Sequence, residues 1–327
     1  MSLTNSRPAN VKNPNAAPGS GTWSLSAYET QARLFLIPFF LGSLILIVLP
    51  ALITLGVAFT KYNAIQPPTW VGLNNFRALL ASPLARLSLR ISLQFIFLAV
   101  PLRLLGALLL ALLLQQGGRL FGGLRAAVFL PTILPEGAYA LIWLWILNPL
   151  YGPLNAVLHA VGLPTPDWLL DPATARMSLV LMSLFTIGEG MVLLLVGLKT
   201  IPRVYYEAAR VDGANAWQRF IYITLPLLRP VLVLIIITTI IASFNLLGQP
   251  MMMTRGDPRL PNGGGATEPV MLRIFIEAGG LGTGRTNYTA EGVMWQSIIH
   301  GLFILSAIGI AYVEKLSQSA YADAAKH

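Results

Sequence analysis

The sequence predicts an all-α membrane protein with six transmembrane helices, and three observations predict it. Hydrophobic residues make up 55% of the 327 residues and charged residues only 11%, against roughly 25% charged in a soluble domain. The apolar residues fall in runs long enough to cross about 30 Å of hydrocarbon at about 1.5 Å per residue. The segments between the runs are mostly dense in Pro, Gly and Asn, as turns are.

The first span is predicted over 34–59, the second over 91–114 and the third over 124–147. The fourth covers 177–198, the fifth 230–253 and the sixth 293–313. Residues 1–30 are rich in Asn, Pro, Ser, Gly and Ala and read as a flexible tail, with the apolar run starting too late and running too long for a cleaved signal peptide. The six-helix membrane body then occupies 31–316, and 317–327 form a second tail. Six crossings put both termini on one side. Lys and Arg are in modest excess on that side, the sign expected by the positive-inside rule if that side is the cytoplasm. Between spans, 164–171 and 255–267 are expected to be the most mobile outer caps.

Composition excludes several classes. The chain has no cysteine, so disulfides, thiolate metal sites and thiol catalysis are absent. The net charge of +9 is scattered between apolar runs without interleaved aromatics, which argues against nucleic acid. No phosphate-binding G-x-x-x-x-G-K-[ST] loop occurs; "GTGRT" at 282–286 has the wrong spacing and reads as a loop. The three histidines, His159, His300 and His327, lack neighbours at ligand spacing, and no catalytic constellation is found.

One insert breaks the apolar pattern: "EAARVDGANAWQRFIYITLP", residues 207–226. Glu207, Ala208 and Ala209 favour a helix, Asp212-Gly213 interrupts it, and a second helix begins near Ala216. Trp217, Phe220 and Ile221 then share one face, and Pro226 and Pro230 punctuate the return to the membrane. From physics alone this is either a hairpin on the membrane surface or a protein-docking element.

The pattern Glu207-Ala208-Ala209, Asp212-Gly213-Ala214, Ile223 and Leu225-Pro226 resembles the EAA loop of ATP-binding cassette (ABC) importer permeases, position by position. "ALIWLWILNPLYGPLN" from Ala140, "GLNNFRALL" and, more loosely, "MMMTRGDP" are similar to stretches of the permeases of carbohydrate importers. The resemblance implies that the loop is a cytoplasmic coupling helix between spans four and five. It also implies a separate ATPase dimer that uses ATP and Mg, a second permease of similar but distinct sequence, and an extracytoplasmic solute-binding protein. No cofactor is implied in this chain, and the location is a bacterial or archaeal inner membrane. Glu207 would anchor or cap the first helix of the loop, and Gly213 would permit the bend.

Ionisable groups within spans are costly and usually face a wet cavity or the bundle interior. Glu189, Arg103 and Glu136 qualify, and Arg103 and Glu136 could pair as structural glue or serve transport. Asn245 and Gln249, four apart, are expected on one face of the fifth span. Tyr139, Trp143 and Trp145 offer aromatic surface, although interfacial Trp commonly anchors a helix. Glu189, Asn245, Gln249, Tyr139 and Trp143 are therefore the candidate substrate residues. Gly188 and Gly190 leave room beside Glu189, while three consecutive Met after Pro250 are unusual. The function implied is ATP-driven import of a di- or oligosaccharide. Alternatives are import of another solute, such as glycerol phosphate, or an ion-coupled secondary transporter using Glu189 and Glu136.

Overall fold

The computed structural model describes residues 25–62 and 67–277, with side chains from residue 34 onward. The sixth span at 293–313, His300, His327, the 282–286 stretch, residues 1–24 and the C-terminal tail lie outside the described residues. The chain divides into two compact units between Leu52 and Ile53, each described by itself.

The first unit is helical. Leu25–Ser43 forms α1, a π-helical turn follows at Leu44–Val48, and α2 (Leu49–Val57) begins within this unit. Helix α1 starts before the tail boundary placed at residue 30. Ala27, Glu29, Gln31 and Ala32 are good helix formers, and polarity alone does not oppose a helix.

The second unit opens with a two-residue hairpin, β1 (Thr60–Lys61) antiparallel to β2 (Thr69–Trp70), with Thr60 opposite Trp70. Asn75 Nδ2 donates to the carbonyls of Ala58 and Thr60 at 2.8 and 2.9 Å and ties the hairpin to α3 (Asn74–Ala81). Helix α4 (Pro83–Leu114) is one unbroken helix of 32 residues. Ser82 caps it, its Oγ accepting from Ala85 N at 3.3 Å, and Pro83 takes a first-turn position where no donor is needed.

Next come α5 (Arg119–Phe129), a 3₁₀ turn at Leu130–Ile133, and α6 (Glu136–Ile146), then α7 (Pro153–Ala160) in the loop beyond. Helix α8 (Pro172–Ser183) meets α9 (Gly188–Thr200) across a second 3₁₀ turn. The polar insert forms α10 (Arg203–Val211) and α11 (Ala216–Arg219); a π turn at Phe220–Thr224 leads into α12 (Leu225–Phe244). The described chain ends with α13 (Gly248–Met253) and α14 (Val270–Glu277).

Three helical stretches are long and apolar enough to cross a membrane: Leu34–Val57, Pro83–Leu114 and Ala216–Met253, the last of them broken between Phe244 and Gly248. Two further candidates are bent, Arg119–Ile133 with Glu136–Ile146 by 102° and Pro172–Thr186 with Gly188–Thr200 by 44°. The third and fourth spans expected from sequence thus correspond to these two bent pairs. Pro131 and Pro135 flank the first bend, where Leu134 is extended with ψ 136, the conformation that a residue before proline prefers. Pro226 and Pro230 also do not interrupt the chain. The π turn shifts the ladder, with Leu225 N donating to Phe220 O, just before Pro226, which cannot donate.

Two of the three apolar clusters among the described residues lie between the long helices. One joins Ala107 and Ala111 of α4, Met191 and Leu194 of α9, and Leu228 and Ile235 of α12. The other joins Phe95 and Ala99 of α4, Tyr139 and Ala140 of α6, and Leu179 and Met182 of α8. Small residues set the approach. A Cβ on Gly188 would strike the backbone of Val128 and Phe129, and one on Gly197 would meet Leu228 at 2.9 Å. Backbone contact of this kind is how membrane helices pack.

The 255–267 segment is partly buried. Gly264, Gly265, Ala266 and Thr267 are buried, and Arg259 and Gly265 form a β-bridge. Buried Glu268 accepts from Gly265 N at 3.0 Å and pairs with Arg273 at 3.0 Å, and Arg273 also pairs with Glu277. Through Gly265 this charged network is tied to the end of the segment.

Candidate functional site

A cavity of about 310 Å³ lies where three helices are interrupted. The α5–α6 bend supplies Thr132, Glu136 and Tyr139. The α8–α9 junction supplies Ser183, Thr186 and Glu189. The end of α12 supplies Ser243 and Asn245, and α13 supplies Gln249. Arg103 of α4 completes the wall. Non-helical backbone is tolerated at membrane depth where it lines a cavity or is buried in protein, so the three breaks and the cavity explain one another.

The polar groups are partly satisfied. Gln249 Nε2 donates to the Tyr139 hydroxyl at 2.7 Å, and the backbone N–H of Gln249 donates to Glu136 Oε1 at 3.2 Å. Gln249 Oε1 is buried without a hydrogen-bond partner among the described residues. Arg103 Nη2 donates to Thr186 Oγ1 at 3.3 Å. Among the described residues the ion pairs lie at Asp257, Arg259, Glu268, Arg273 and Glu277, so Arg103 and Glu136 do not pair. Arg103 instead shares a second, smaller cavity of about 100 Å³ with Glu189. Glu136 and Glu189 are exposed on the face of this chain.

Two sequence expectations change here. Asn245 and Gln249 do not share a face of one helix, because α12 ends at Phe244 and α13 begins at Gly248. They meet the same cavity because the break turns both inward. Trp143 lines neither polar cavity: it packs on the second apolar cluster and meets Phe185 edge to face at 5.9 Å. Trp145 is 55% exposed on the outer face. Thr132, Ser183, Thr186 and Ser243 were not singled out from sequence, because lone hydroxyls are unremarkable within spans. The proline and glycine pairs at the breaks were the available signal.

The polar insert has a defined bend. Ala214 N donates to Ala209 O at 2.8 Å and Gly213 N to Arg210 O at 3.1 Å, with Gly213 at φ +78. This is the Schellman arrangement that ends a helix on a left-handed glycine. Asn215 then starts α11 with a capping box: its Oδ1 accepts from Gln218 N, and Gln218 Oε1 accepts from Asn215 N, both at 2.8 Å. The Tyr206 hydroxyl bonds Thr224 Oγ1 at 2.9 Å and fixes α10 to the base of α12. Glu207 stands exposed in mid-helix and therefore does not cap α10. Val211, Trp217 and Tyr222 are also exposed.

Residues 80–261 match the model of a family described as binding-protein-dependent transport system inner membrane component. The chain belongs to that family. A probable ABC transporter permease of Bacillus subtilis (strain 168), YesP, is 31% identical over 274 residues, covering 83% of this chain and 87% of the relative. The trehalose/maltose transport system permease MalF of Thermococcus litoralis is 32% identical, covering 74% and 81%. A solved bacterial alginate ABC transporter, in complex with a pentasaccharide-bound periplasmic protein, has a chain of the same fold. It superposes with a TM-score of 0.70 at 19% identity over 91% of this chain and 98% of that one. This permease is therefore a membrane subunit and not an enzyme, and ATP hydrolysis lies in a separate subunit. Its family match takes in both the cavity and the 207–226 loop.

Proposed function

We propose that this permease carries a di- or oligosaccharide through the cavity at the three helix breaks and is driven by an ATPase docked on the 207–226 loop. The observation that carries this reading is the cavity itself: hydroxyl, amide, carboxylate and guanidinium groups beside the Tyr139 ring, inside an apolar bundle. A sugar needs directed hydrogen bonds and an aromatic or apolar wall. Gln249 Oε1 and Glu189 accept from its hydroxyls, and Asn245 and Arg103 donate. Relatives named for trehalose and maltose, lactose and starch degradation products favour the same class.

The body of residues 31–316 crosses the membrane six times, the sixth at 293–313, with both tails and the loop in the cytoplasm. Glu207, Ala208, Ala209, Asp212, Gly213, Ala214 and Pro226 form or frame the coupling element. Its exposed apolar residues, held on two capped helices, offer a stiff docking face. Closure of an ATPase dimer with ATP and Mg would move α10 and α11 as a body, and the link through α11 would pass the motion to α12. The exposed carboxylates at the cavity mouth face the side on which a second, similar permease would complete the path. A solute-binding protein delivers the sugar from outside the inner membrane.

The test is reconstitution of the chain with its cognate permease, ATPase and binding protein in proteoliposomes. Binding protein loaded with maltose, trehalose or a longer oligosaccharide should stimulate ATP hydrolysis and sugar uptake together. Stimulation by a non-carbohydrate solute alone would refute the sugar assignment, and uptake driven by a proton or sodium gradient without ATP would refute the class.

A further inference from the structure

A groove of about 760 Å³, which shares only Phe95 and Leu246 with the larger polar cavity, runs along the flank of the second unit between α4 and α8. Its lining holds Arg86, Arg90 and Arg176 and no carboxylate, and is otherwise almost wholly apolar. Arg86, Arg90 and Gln94 follow one another at four-residue intervals on α4, so they form one stripe that continues into Phe97 and Leu98. Arg176 reaches over from α8, its Nη1 donating to Gln94 Oε1 at 3.0 Å. Arg90 enters no hydrogen bond or ion pair among the described residues, and Arg86 has only a 3.4 Å contact to Ala81 O.

The dimensions suit one leaflet. From Arg86 to Leu98 is about 18 Å along the helix, close to half of a hydrocarbon core of about 30 Å. The cations sit at the helix ends and the apolar wall extends toward mid-span. Phe97 is 75% exposed in this wall. We propose that the groove binds an anionic phospholipid, with its phosphate held by Arg86, Arg90 and Arg176 and an acyl chain lying along Leu93, Phe97 and Leu98.

Charge favours lipid over a helix of a partner chain. A protein occupant would have to bring several carboxylates to the membrane to meet three cations, which is costly. An anionic phospholipid brings its phosphate at headgroup level and its chains at the apolar wall, so one molecule meets both halves of the groove.

The assembled transporter, in nanodiscs of phosphatidylcholine with a minor share of phosphatidylglycerol, is released in mild detergent and its retained lipid read by native mass spectrometry. The wild type should retain phosphatidylglycerol over phosphatidylcholine. Each Arg→Gln change at Arg86, Arg90 or Arg176 should weaken retention about fivefold. Arg→Lys at all three should keep most of the preference, and Leu98→Trp, with every arginine in place, should reduce retention by crowding the chain. These two variants read the site even where the triple Gln variant fails to assemble. Equal retention of both lipids by the wild type, or full retention by the triple Gln variant, would overturn the proposal. So would a Phe97→Cys thiol shielded from maleimide only when the partner permease is present.

Discussion

At the scale of single residues, Glu189 carries the most specific expectation. It is the carboxylate shared by both polar cavities, and Gly190 beside it lies against Ala107, where a Cβ would come within 3.2 Å. A hydrogen bond to a charged group contributes roughly 1.5–3 kcal/mol, so Glu189→Ala should raise the half-saturating sugar concentration about tenfold or more. Assembly and basal ATP hydrolysis should stay intact, and Glu189→Gln should fall between. Uptake by Glu189→Ala at unchanged apparent affinity would remove the residue from the path. Gly213 gives a second test. Its surroundings are open but its φ is +78, so any cost of substitution is conformational, about 1–2 kcal/mol for an ordinary side chain. Gly213→Val should uncouple ATP hydrolysis from uptake, and Gly213→Asn, which tolerates the left-handed region, should restore most of it. Equal loss in both would mean that space, not backbone conformation, matters there.

At the scale of elements, the loop and the helix breaks behave differently. The α10–α11 turn is specified locally, by a Schellman glycine and a capping box, which is why it was legible residue by residue. Asn215→Ala removes the cap and should cost about 1 kcal/mol, seen as reduced sugar-stimulated ATP hydrolysis with insertion unchanged. The breaks depend on packing. Gly188 touches the backbone of Val128 and Phe129, so Gly188→Leu should force α9 from the α5 end and destabilise the bundle by about 1–3 kcal/mol. A thermal melt of the detergent-solubilised chain measures it, and an unchanged midpoint would show that the contact is loose. Span lengths were readable because a bilayer demands them. The 102° bend between α5 and α6 was not, since two prolines permit a bend without fixing its angle.

At the scale of the whole molecule, the native chain has no cysteine, so single-cysteine labelling reads topology cleanly. A thiol from Ala214→Cys should react only after permeabilisation, and one from Gly263→Cys should react in intact cells. Labelling of Ala214→Cys from outside would invert the arrangement and remove the loop from its ATPase. By itself the sequence determined that this is a helical membrane permease with a capped polar loop. Apolar run length, charge deficit and local capping chemistry act over a few residues, and the family pattern of the loop stands in contiguous sequence. The tertiary structure alone decided where the polar cavity sits. Glu136, Thr186 and Gln249 belong to three helices far apart in the chain, and Asn245 and Gln249 meet through a broken helix instead of a shared helical face. Only packing of the breaks against α4 brings them to one volume, and it also turns Trp143 away into the core.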